Sequence, residues 1–60
     1  MTFEEALEMK RIELEAIERI INNMYKQRKH TIIVGRLVLL DLYEKKAETE
    51  RLIKELEKRV

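Results

Sequence analysis

The chain has no cysteine, proline, serine or tryptophan, and its one glycine is Gly35. Without cysteine there is no disulfide framework and no thiolate zinc site. Without Ser or Cys the commonest nucleophiles are gone, and the single histidine, His30, has neither to activate. Tight β-turns draw on Gly and Pro, so a chain this poor in both reads as helical. Long apolar runs are missing as well. The longest, Thr31 to Tyr43, is broken by Arg36 and Asp41 and falls short of the ~20 residues that span a bilayer. The N-terminal stretch carries Glu4, Glu5 and Glu8 where a secretory signal has positive charge. The expectation is a soluble, cytoplasmic protein that does not engage membranes and is not an enzyme.

What the chain does have is charge of both signs. Thirteen Lys and Arg against twelve Asp and Glu leave a net +1. The signs alternate, as on a solvated mixed surface, and the composition is that of heat-adapted proteins. At 60 residues the chain is one domain, 1–60, and a lone fold of this size buries only about 60% of its unfolded surface. Below roughly 70–80 residues a core needs a disulfide, a metal or self-association. The first is excluded and a thiolate-held metal with it, which leaves self-association.

Two amphipathic stretches account for most of the chain. Thr2 and Glu5 have capping-box spacing, and the glutamates that follow suit the positive end of a helix dipole. From there Phe3, Leu7, Leu14, Ile17, Ile21 and Met24 recur in steps of three, four or seven, interrupted by Lys10. Ala6, Ala16, Ile20 and Tyr25 widen the stripe beyond a two-stranded seam, as in a bundle helix. The spacing predicts a first helix over 3–29, a turn over 29–31, and a second helix over 32–59 capped by Thr31. Val38, Leu42, Leu52 and Leu56 form the second seam, flanked by Leu39, Ile53 and Val60, with Lys45 and Thr49 as polar members. Acid–base pairs at i,i+4 fall at Asp41/Lys45, Glu50/Lys54 and Glu55/Arg59.

The predicted fold is therefore all-α: an antiparallel two-helix hairpin that assembles as a homodimeric four-helix bundle, with its two tips at opposite ends. A competing reading makes residues 31–40 a strand. Thr31, Ile32, Ile33, Val34 and Val38 are β-branched, and Asp41 with Glu44 offers a later helix start. Such a strand has only a second chain to pair with.

Three clusters bear on function. Residues 26–36 contain Lys26, Arg28, Lys29 and Arg36 and no acid, a local +4, whereas residues 1–25 carry −3. A tip of this charge suits phosphate or an acidic partner, and equally compensates a helix end. No aromatic residue is interleaved for base stacking. Glutamate pairs such as Glu4/Glu8 and Glu15/Glu18 have ligand-like spacing but lack the Glu-x-x-His of di-metal bundles, so no metal or cofactor is expected. Tyr25 and Tyr43 belong at the edge of the core near the tip, and Gly35 marks a close approach, a hinge or a bulge. The function these residues support is a non-catalytic adaptor or regulatory protein whose bundle binds another protein. The alternative is a nucleic-acid-binding regulator acting through the basic tips.

Overall fold

The structure, a computed structural model, describes all 60 residues. Helix α1 spans Phe3–Lys26, a single 3-10 turn spans Lys29–Thr31, and helix α2 spans Ile33–Glu57; there are no strands. The β-branched run at 31–40 is thus helical from Ile33 onward, against the strand reading. β-propensity is a weak preference that depends on a neighbouring strand to pack against, and this chain offers none.

α1 begins as its sequence predicts. The Thr2 hydroxyl accepts the Glu5 N–H at 3.1 Å and lies 3.2 Å from the Glu5 carboxylate, satisfying one of the helix's orphan donors. Its end comes earlier than the spacing predicts, at Lys26, because the backbone reverses at Arg28. α2 begins differently. Ile32 occupies its N-cap without a side-chain hydrogen bond, while the Thr31 hydroxyl turns back to donate to the Arg28 carbonyl at 2.7 Å. Thr31 stabilises the turn and does not cap the helix.

The helices run antiparallel. Arg11 pairs with Glu57 at 3.2 Å, Lys46 with Glu18 at 3.7 Å, and the hydroxyls of Tyr25 and Tyr43 meet at 3.1 Å. The result is a rod 41 Å long and 15 Å wide. Along α1 the intramolecular seam is Leu7, Leu14, Ile17, Ile21 and Met24, with Lys10 half-buried among them. Along α2 it is Gly35, Leu39, Leu42, Lys46, Thr49, Ile53 and Leu56, an unbroken heptad spacing. Leu39 and Ile53, expected as flanks, point inward. Val38 and Leu52 lie beside the seam, 44% and 40% exposed, and Phe3 sits at the open end under the Arg59 guanidinium, 5.6 Å from its ring centre. Thr49 is a polar seam member as expected, but Lys46 takes the place foreseen for Lys45, which is exposed.

Ile17, Ile21, Met24 and Leu39, with Leu42 against them, form one dry cluster in the half nearest the turn. Each such side chain contributes roughly 2 kcal/mol on burial. The ion pairs that form are Lys10–Glu13, Arg11–Glu57, Glu15–Arg19 and Glu18–Lys46; none of the i,i+4 pairs expected in α2 closes. All are solvent-exposed to a degree that leaves each worth at most ~1 kcal/mol.

Candidate interaction surface at the hairpin tip

The tip is built around two backbone devices. Arg28 adopts the left-handed conformation, φ 57°, ψ 26°, reversing the chain after α1 at a position where glycine is the usual choice. The carbonyl of Lys29 then lies against Gly35 in the first turn of α2. A β-carbon at position 35 would overlap the Lys29 carbonyl oxygen and approach its carbon to 2.6 Å. Of the three roles open to Gly35 in the sequence, the structure selects close approach. The turn is tied down by hydrogen bonds from the Thr31 N–H to the Arg28 carbonyl, 3.2 Å, and from the Ile32 N–H to the Lys29 carbonyl, 3.3 Å.

Arg36 reaches back over this turn and donates from Nε to the His30 carbonyl at 3.1 Å. The His30 ring lies against Tyr25, with centroids 4.8 Å apart and planes tilted by 39°, and its Nδ1 is buried without a partner. Tyr25 in turn shares its hydroxyl hydrogen bond with Tyr43. That bond, then desolvation, holds the Tyr25 phenol above its usual value. Together Tyr25, His30, Arg36, Leu39, Leu40 and Tyr43 line an open depression of about 300 Å³.

Of the four predicted contact residues, Lys26, Arg28 and Lys29 are exposed and form no ion pair, leaving their charges free. Arg36 is also exposed, but its guanidinium is engaged with the turn and serves the fold first. No three His, Asp or Glu side chains converge on a possible metal position. No helix is long and apolar enough to cross a membrane.

The larger feature of this end is apolar. Ile33, Val34, Leu37 and Leu40 are 76%, 68%, 63% and 59% exposed, so the first two turns of α2 present aliphatic side chains almost all round. The β-branched, aliphatic composition of 31–40 was the signal for this surface, and helical phase decides which members point out. No protein-family model, curated protein or solved structure matches the chain.

Proposed function

We propose that this protein is a non-catalytic interaction module of the cytoplasm that works as a homodimeric four-helix bundle and holds another protein. One observation carries the reading: fifteen large hydrophobic residues are exposed while only five are buried. Exposed apolar patches mark interaction surfaces, and the start of α2 exposes Ile33, Val34, Leu37 and Leu40 together.

Sedimentation over a concentration series tests the self-association. A dimer at micromolar concentration supports it, and a monomer throughout overturns it. Capture from native extract with the intact protein, set against a Leu37→Asp variant, tests the partner. A protein retained by the first and lost by the second supports the module reading, and recovery of the chain alone counts against it.

A second reading has its own observation, the three unpaired cations Lys26, Arg28 and Lys29 at the tip. It makes the tip a nucleic-acid contact. Binding would then weaken steeply with salt and vanish when these three and Arg36 become Ala. No shift of DNA or RNA at ~50 mM salt removes this alternative.

A further inference from the structure

Acidic residues are spread along the chain with one gap. None stands between Glu18 and Asp41, and no other acid-free run exceeds four residues. The hairpin folds this gap onto itself: it covers the end of α1, the 3-10 turn and the start of α2. One end of the 41 Å rod therefore carries no carboxylate. Arg19, at the edge of the gap, turns back to Glu15. Lys26, Arg28, Lys29 and Arg36 have no acid to meet, and Arg36 uses only its Nε on the turn.

The same end holds the most exposed aliphatics of α2. Gly35 and Leu39 are buried against α1, and at one helical residue per ~100° Leu37 lies diametrically opposite them. Ile33 and Leu40 flank Leu37 within about 40° on the same side, and Val34 follows about 60° further round. They form an aliphatic rim that looks away from α1 and into neither groove between the helices. Ile32, 56% exposed, extends it to the turn. Acids return on this side at Asp41 and Glu44, both exposed. The apolar, basic surface thus ends about 10 Å along α2, the rise from Ile33 to Leu40.

We propose that this end docks on an anionic lipid surface. Ile32, Ile33, Leu37 and Leu40 enter the boundary between headgroups and acyl chains, while Arg28, Lys29 and Arg36 lie among the phosphates. The inference goes beyond the protein-binding reading above and does not depend on it. Size and chemistry together select lipid. The rod is only 15 by 14 Å across, so its end falls well short of the ~800 Å² per partner of a standard protein interface. A fluid surface closes around a narrow protrusion without a matching contour. Nucleic acid would answer the cations and leave the rim in water, because most of its contacts are to phosphate. Headgroup phosphate above hydrocarbon answers both, and interfacial elements sink about 5–10 Å, the depth at which the acids of α2 begin. The sequence spoke against membranes through its lack of a spanning run, which docking of this kind does not need.

Co-sedimentation of the intact protein with vesicles tests this, using phosphatidylcholine alone and phosphatidylcholine with about one-third phosphatidylserine. Retention on the anionic vesicles only, weakening as salt rises, is the expected result. Absence of retention, or equal retention on both, overturns the inference and leaves self-association and protein binding untouched. Leu37→Asp should lower vesicle affinity at least about tenfold, and Lys29→Gln about fivefold. Ile33→Asp controls for folding, because the helix dipole favours a carboxylate in the first turn of α2. It should lose vesicle binding while circular dichroism stays that of the parent. Unchanged affinity in a helical Leu37→Asp or Ile33→Asp chain overturns the placement. A changed solution mass of Leu37→Asp would put the rim between copies of the chain. A protein held from lipid-free extract by the parent and lost by Leu37→Asp would give the rim to that protein. Either result overturns the lipid assignment.

Discussion

The half of the hairpin near the turn and the half near the termini are held by different means. Near the turn, Ile17, Ile21, Met24 and Leu39 make a dry aliphatic cluster beneath a joint in which Arg28, Lys29, Gly35 and Arg36 all have fixed places. Toward the termini the seam carries Lys10, Lys46 and Thr49, and Leu7 is the one hydrophobic residue there that is buried. The half-buried Leu14, Ile53 and Leu56, the Arg11–Glu57 ion pair and the Arg59–Phe3 contact complete it. The same helix pair is therefore self-sufficient at one end and under-packed at the other. A polar seam costs stability and fixes alignment, so the half near the termini is the weaker of the two.

Substitutions sharpen or erase this difference. Ile17→Asp should have the largest effect, placing an unpaired carboxylate in the dry cluster. A domain this small has only a few kcal/mol to lose, so the expected outcome is loss of helicity by circular dichroism at 25 °C. Folding retained in that variant would mean the cluster does not hold the hairpin. Next comes Gly35→Ala. In an ordinary helix interior this change stabilises by ~1 kcal/mol, but here the methyl meets the Lys29 carbonyl. A loss of roughly 1–3 kcal/mol is expected, and denaturant titration reads its sign directly.

Thr49→Val acts on the weak half and in the opposite direction. Thr49 is 3% exposed, a polar hydroxyl at a seam position between the helices. Removing it should raise stability by about 1 kcal/mol, seen as a higher melting temperature, and should narrow the gap between the halves. The smallest effect belongs to Tyr43→Phe, which returns the Tyr25 phenol toward its ordinary value near 10 in a spectrophotometric titration. With Tyr43 present, Tyr25 holds its proton more tightly folded than unfolded. Stability from this group is complete below the unfolded value and declines as pH rises through the folded one. The variant should lose that alkaline decline.

The start of the first helix and most of its seam were legible, because the cap and the larger aliphatics advertise themselves, whereas its end at Lys26 and the exposure of Phe3, Ile20 and Tyr25 were not. Its frame of Leu7, Ile17, Ile21 and Met24 needed no structure to find. The second helix was not. Its true seam repeats without a break, yet Gly35, Lys46 and Thr49 occupy three of its seven places, so hydrophobicity points to Val38 and Leu52 instead. The close approach of the Lys29 carbonyl to Gly35 requires glycine in the seam, and hydrophobic periodicity carries no trace of it. The same blindness applied at the tip. Charge alone singled out Lys26, Arg28, Lys29 and Arg36, but only the structure shows Arg36 engaged with the His30 carbonyl and Ile33, Val34, Leu37 and Leu40 left exposed.

Surface turns usually tolerate added residues at small entropic cost. This one should not, because the glycine–carbonyl contact works as an angular stop. One extra residue between Thr31 and Ile33 would either break the contact or turn α2 by about 100° around its axis, the rotation of one helical residue. Turned that far, the helix would present a different set of side chains to α1 and carry its aliphatic rim around to another side. The joint thus sets, in a single place, both how the hairpin closes on itself and which way its remaining surface looks.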